Sequence, residues 1–210
     1  MRHLKISFPD EVNDVFELKP FSFQGKNREE KRNLRTEWHD SIVSLSKSCG
    51  FISFSSNWHS PTMWAHYANN HLGLCYGFEI DESGLDRVGY VEHLQKIHRT
   101  DLKCAQRLKN LTGYAKCTKS LHWAYEQEWR MYIKLDPLDV HKKAKGQRLF
   151  FTDFNQNMRL KEVVIGCESK ISSQQIKKAL SDYEDVAVKT ARPAFESFKI
   201  VEQQNSNFLK

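Results

Sequence analysis

The sequence predicts an α+β fold: a single domain with a mixed or antiparallel sheet and flanking helices. Three observations carry that reading. The 210 residues hold 40% hydrophobic and 12% aromatic side chains, including 13 Phe, enough to fill a core without disulfides or metal. Segments of helical period alternate along the chain with segments of period two. No internal repeat, low-complexity tract or Pro/Gly/Ser linker marks a boundary, so residues 1–201 read as one domain and 202–210 as a polar, frayed tail.

Taken in order, Leu4 to Phe8 alternates as a short strand and leads into the loop Pro9 to Glu17. Leu34, Trp38, Ile42 and Leu45 form one apolar stripe on a charged helix from Asn27 to about Ser46. Cys49 to Phe54 reads as a strand. Ser60-Pro61 then supplies a capping hydroxyl and a first-turn proline for a helix over Met63 to Ala68, stopped by Asn69, Asn70 and Gly73. Leu74, Tyr76, Phe78 and Ile80 alternate as a half-buried strand. Val91, Leu94, Ile97, Leu102, Ala105 and Leu108 predict a long helix from Tyr90 to Asn110, and a third helix is expected from Tyr114 to Ala124.

From Glu126 the period becomes two, with Trp129, Met131, Ile133 and Leu135 on one face and Glu126, Glu128, Arg130 and Tyr132 on the other. Val163 to Ile165 is a strand. Ser172 with Gln175 is a capping box opening a helix to about Asp182, Val186 to Lys189 returns as a strand, and Phe198 to Val201 is an edge strand. Trp64, Tyr67, Trp123 and Trp129 are expected to pack the centre.

The 32 Lys+Arg against 26 Asp+Glu give a net +6, and the isoelectric point is near 9.0, a balance compatible with a polyanionic partner. Basic residues thicken at Lys142, Lys143, Lys145 and Arg148 and at Lys103, Arg107 and Lys109, although a solvated face explains them as simply. Five cysteines at irregular spacing read as reduced thiols. A mean hydropathy of −0.64 with no long apolar run predicts a soluble, cytoplasmic protein without a membrane span. The chain lacks a G-x-x-x-x-G-K loop, a G-x-G-x-x-G turn and a G-x-S-x-G elbow, which disfavours P-loop enzymes, dinucleotide dehydrogenases and serine hydrolases.

Three constellations could carry chemistry. His66 and His71, five residues apart, would sit about 140° apart on a helix, so they do not form a one-face zinc pair and no metal is expected. A metal-dependent nuclease built on them is the weaker enzymatic alternative. Glu126 and Glu128 at i and i+2 on a strand would share a face, one to steady a developing positive centre and the other to activate a nucleophile, unless Arg130 merely pairs with them. Ser53 and Ser55 share a strand face and could present hydroxyls to a pocket.

Three blocks, Asn13 to Glu17, Met63 to Phe78 and Lys119 to Arg130, together resemble a bacterial family, the domain of unknown function 2971, some of whose members are labelled abortive-infection proteins. The family pattern has proline where this chain has Val15. The serine strand and the E-x-E element look like the second and third motifs of ADP-ribosyltransferase-type folds, with Arg2 or His3 left for the first. The resemblance implies NAD as substrate, with Glu128 accepting the ribose 2-OH, Glu126 orienting the acceptor and His66 beside them. By that analogy Ser53 or Ser55 supports the nicotinamide ribose, with Tyr67, His71 and Arg130 as further cofactor-binding candidates, and His66, His71, Glu126, Glu128 and Arg130 are expected to line one polar cleft. It implies a defence or toxin-type enzyme modifying a nucleic acid or protein acceptor, or else a non-catalytic nucleic-acid or partner-binding module with a cognate partner protein.

Overall fold

The computed structural model describes residues 3–9, 11–135, 140–144, 147–154, 157–183 and 185–210; at 140–144, 147 and 148 only the backbone is described. In chain order it runs β1 (His3–Lys5), β2 (Phe21–Gln24), α1 (Arg28–Ser46), β3 (Cys49–Ser55), α2 (Pro61–Tyr67), β4 (Leu74–Ile80), β5 (Asp86–Arg87), β6 (Gly89–Val91) and β7 (Gln95–His98). It continues with α3 (Arg99–Lys103), α4 (Ala105–Lys116), β8 (Thr118–Ser120), a 3-10 turn Leu121–Glu126, β9 (Glu128–Lys134), β10 (Val140–Ala144), β11 (Gln147–Asp153) and β12 (Met158–Ile165). It ends with α5 (Ser173–Ala179), β13 (Ala187–Pro193) and β14 (Ile200–Glu202). The class is α+β. The chain forms two compact units, Met1–Phe54 with Leu85–Asp153, and Ser55–Gly84 with Phe154–Lys210.

The first unit contains the sheet β1-β11-β10, the sheet β3-β9-β5 and the parallel pairs β2/β7 and β6/β8. Its main core gathers Leu18, Phe21, Trp38, Ile42, Ile97, Leu111 and Ala115, with Phe21 meeting Trp38 edge-on at 4.8 Å. A smaller core holds Ile6, Phe8, Leu135 and Phe150. Helix α1 lies where its stripe predicts and starts at Asn27, whose side chain accepts from the Glu30 amide; Leu34, Trp38 and Ile42 are its buried residues.

The second unit is built on the sheet β14-β13-β12-β4. Trp64, Ala68, Val164, Ala191 and Ile200 pack together as one cluster. Leu160, Val163, Ile165 and Ile176 form another, with Ile176 supplied by α5. Helix α2 has the expected Ser60 cap and proline start. Beyond it Asn69, Asn70 and His71 all take left-handed conformations, φ 46, 53 and 68, so the helix unwinds in three successive residues before β4.

Several expected elements differ. The long helix over 90–110 is instead β6, β7, α3 and α4. The spacing that suggested one stripe is shared by strand positions: Ile97 is buried as a β7 residue beside β2, while Leu94 is 44% exposed. Strand pairing in the assembled sheet overrides local period here. The helix expected over 114–124 breaks at Cys117, because Thr118–Ser120 pairs with β6. Tyr67 does not pack the centre; it is 51% exposed, whereas Trp64 is buried and donates to the Trp58 carbonyl at 2.7 Å.

Residues 202–210, expected to fray, carry hydrogen bonds. Lys210 Nζ donates to the carbonyls of Gly166, Cys167 and Ser169 at 3.1, 2.7 and 2.5 Å, and its amide donates to Thr190 Oγ1 at 3.3 Å.

Candidate functional site

A cluster of buried charged side chains lies inside the first unit. It is assembled from three separate stretches. The turn at Asp14 comes first: Asp14 Oδ1 accepts from the Phe16 amide at 2.8 Å, its carbonyl accepts from the Glu17 amide at 3.1 Å, and Leu18 is left-handed at φ 55. Trp38 Nε1 of α1 holds the turn by donating to the Leu18 carbonyl at 2.8 Å. The result buries Glu17 and leaves Val15 and Phe16 exposed.

The second stretch is β8, the 3-10 turn and β9. Ser120 caps the turn, which ends at Gln127 in a left-handed conformation, φ 46 and ψ 51. Glu126 therefore belongs to the turn and not to the strand, a correction to the i, i+2 pairing expected of a continuous strand. The two carboxylates meet through Lys119 instead: its Nζ lies 2.5 Å from Glu126 Oε2 and 3.3 Å from Glu128 Oε2. The ammonium also sits 4.7 Å from the Trp123 ring centre. On β9 the charged face is the inner one, with Glu128 and Arg130 at 3% and 1% exposure.

Arg130 joins the two halves. Its guanidinium grips Glu17 with two bonds of 2.6 and 2.9 Å and Glu128 with two of 2.8 and 3.2 Å, and it donates to the Lys116 carbonyl at 3.0 Å. Its carbon lies 4.9 Å from the centre of the Phe51 ring. Tyr132 OH donates to the same Lys116 carbonyl at 2.9 Å, and the Glu128 amide donates to Tyr90 OH at 2.8 Å. The third stretch is β3, next to β9 in its sheet, from which Ser53 Oγ donates to Glu128 Oε1 at 2.6 Å. Ser53 itself is exposed.

Burial works against every charge in this group, and the partners decide which charges persist. For Glu128, burial pushes the carboxyl up, but Arg130, Lys119 and Ser53 more than offset it and hold it below the usual carboxylate range. Glu17 goes the other way: burial dominates, and its carboxyl stays above the usual range in spite of Arg130. Lys119 is disfavoured by burial yet held protonated by Glu128 and Glu126. The arrangement is a fixed, ionised carboxylate with one oxygen on an exposed serine hydroxyl and a second carboxylate bound to the same lysine.

Of the residues the sequence singled out, the structure brings Ser53, Glu126, Glu128 and Arg130 together. Ser55, His66, Tyr67 and His71 belong to the second unit. There Ser55 Oγ donates to the Asn57 carbonyl and accepts from the Asn57 amide, at 3.2 and 3.1 Å. His66 and Tyr67 have adjacent rings, 6.2 Å between centres. The His71 carbonyl accepts from the Glu168 amide at 3.1 Å, while its Nδ1 is buried with no hydrogen-bond partner. Arg2 and the side chains of Lys142, Lys143, Lys145 and Arg148 lie outside the described residues. Among the described residues no group of three or more His, Cys, Asp or Glu side chains could hold a metal ion.

The sequence motifs alone assign no role to Glu17, Lys119 or Tyr90, although Lys119 heads the charged group Lys119 to Arg130. The first two stand within the blocks that open with Asn13 and Lys119, so the signal was there as a motif. What the spacing could not give was the meeting of Glu17 with Arg130, 113 positions apart.

Residues 63–131, about a third of the chain, match the model of a family described as Protein of unknown function (DUF2971). Through this segment the chain is similar to that family. The DUF2971 segment contains Lys119, Glu126, Glu128 and Arg130 from the first unit and His66, Tyr67 and His71 from the second, while Glu17 and Ser53 come from outside it. No curated protein and no solved structure matches the chain. No helix among the described residues is long and apolar enough to cross a membrane.

Proposed function

We propose that the protein is a defence or toxin-type enzyme that transfers an ADP-ribosyl group from NAD to a macromolecular acceptor. The observation that carries this reading is the 2.6 Å hydrogen bond from Ser53 to Glu128, with Glu126 two residues upstream on a shared lysine. In the reaction the bond between C1 of the nicotinamide ribose and the ring nitrogen breaks, neutral nicotinamide leaves with the bonding pair, and positive charge develops at C1. A fixed carboxylate that accepts the neighbouring 2-OH stabilises that charge. Glu128 is ionised and held by Arg130 and Lys119. A ribose hydroxyl replacing that of exposed Ser53 would keep its hydrogen bond. Glu126 then takes the proton of the acceptor nucleophile as it bonds to C1.

The test is incubation of purified protein with labelled NAD and total cellular RNA, DNA and protein. Glu128→Gln and Ser53→Ala serve as controls, the second because an exposed serine is expected to be replaceable without loss of fold. Nicotinamide release and label transfer that vanish in the first and persist in the second support the reading. A folded wild-type protein that releases no nicotinamide with any acceptor overturns it.

A second reading rests on a specific observation: Glu128 is 3% exposed, and both its oxygens bind Arg130 as well as Ser53 or Lys119. In that case the cluster only holds the first unit together, and the protein is a nucleic-acid or partner-binding module. Glu128→Gln would then lower thermal stability in a protein with no NAD turnover to lose.

A further inference from the structure

The hairpin between β13 and β14 displays two phenylalanines outside any hydrophobic core: Phe195 is 90% exposed and Phe198 100% exposed. Scattered exposed aliphatic residues are ordinary, but two exposed aromatic rings at one hairpin tip mark a candidate contact surface. The tip is well built. Its strands pair Ala191 with Glu202, Arg192 with Val201 and Pro193 with Ile200, and it closes with Ala194 N to Lys199 O at 2.8 Å. Its base is anchored where Ile200 is buried; the Ile200 amide donates to the His59 carbonyl at 2.9 Å, and the His59 ring lies 2.7 Å from the Ile200 carbonyl oxygen. All of these residues belong to the second unit.

We propose that this tip is a docking site for single-stranded nucleic acid, with bases stacking on Phe195 and Phe198 and phosphates met by Arg192 and Lys199. Charge complementarity selects the occupant. The Arg192 guanidinium already lies 4.5 Å from the centre of the Phe195 ring, the aromatic and cationic pairing on which a base can stack while its phosphate is neutralised. Lys199 adjoins Phe198, and the whole chain carries a net +6. The residues between the rings decide against a lipid surface, since inserting the tip into hydrocarbon would bury the exposed Glu196 carboxylate, whereas stacking leaves it in water. This surface supplies the binding reading with its location and does not depend on Glu128 being catalytic.

The experiment is fluorescence anisotropy of labelled single-stranded DNA and RNA, about 20 nucleotides long, with the full chain at low salt and across a salt series. Wild type is expected to bind, and F195A/F198A to bind at least about 25-fold more weakly, about fivefold or more per ring. Lys199→Ala is expected to reduce the slope of log affinity against log salt by about 0.7. Both phenylalanines are exposed, so an unchanged thermal melt verifies that the variants fold. The proposal is overturned if wild type does not bind at low salt or if the double variant binds as well as wild type. Ring-dependent binding to phosphatidylserine vesicles, or ring-dependent self-association in sedimentation, overturns it when oligonucleotide binding is absent. Nicotinamide release is read separately on the same protein, so this inference and the transferase reading can each fail alone.

Discussion

At the residue scale, Glu17 and Glu128 share one guanidinium but are shifted in opposite directions, and pH separates them. Glu17 is raised above its ordinary 4.5, so its stabilising contribution is complete below that value and is lost as pH rises through the raised one. Neutral Gln at position 17 escapes this loss. The stability difference between Glu17→Gln and wild type should therefore move in the variant's favour between pH 4.5 and neutrality, as read by chemical denaturation at several pH values. Glu128 is depressed, so its contribution is present above 4.5 and lost as pH falls further. Removing that charge with Glu128→Gln leaves Arg130 and Lys119 under-compensated in a buried place and should cost about 3 kcal/mol or more at pH 7. Ser53→Ala, on the exposed side of the same carboxylate, should cost only about 1 kcal/mol. The carboxylates, Arg130 and the serine were legible in the sequence as a charged strand face and a serine strand. That the charged face turns inward was not, because period two separates two faces without saying which one the fold buries.

At the scale of elements, capping chemistry was the most readable signal. Asn27, Ser60 and Ser172 each accept from the amide three residues on, as their positions before the helices require. Ser172→Ala should lower stability by about 1 kcal/mol, measured by thermal or urea unfolding. Residues 90–124 form short strands as well as helix where the apolar pattern predicts helix alone, because spacings of three do not separate the two and the partners that decide, β2 and β8, are remote or themselves too short to announce a strand. The junction after β12 makes a sharper demand. A methyl group at Gly166 would come within 2.2 Å of the His71 carbonyl oxygen and 2.8 Å of the Gly73 one, where the left-handed turn at 69–71 brings the backbone close. Gly166→Ala should therefore destabilise the second unit by about 2 kcal/mol or more, whereas Gly113→Ala, with open space around its added methyl, should not.

At the scale of the whole molecule, composition sufficed for the class and for the absence of a membrane-spanning helix among the described residues, and it left the partition into two units unseen. The reason is connectivity. Each unit takes two stretches of chain, so no linker of unusual composition marks where one ends. A fragment ending at Asp153 should keep β4 but lose β12, the strand that β4 pairs with over Met158–Ile165. It should precipitate or bind a hydrophobic dye strongly, as checked by expression and dye fluorescence. The same pairing sets a schedule during synthesis. About 80 residues separate the end of β4 from the start of β12, and ribosomes add about 5–20 residues each second, so a nascent β4 waits roughly 4–16 s with its ladder edge unpaired. For that interval the polypeptide offers other nascent chains a strand template, and slowing translation before Met158 should increase aggregation of newly made protein without altering the stability of molecules that have already folded.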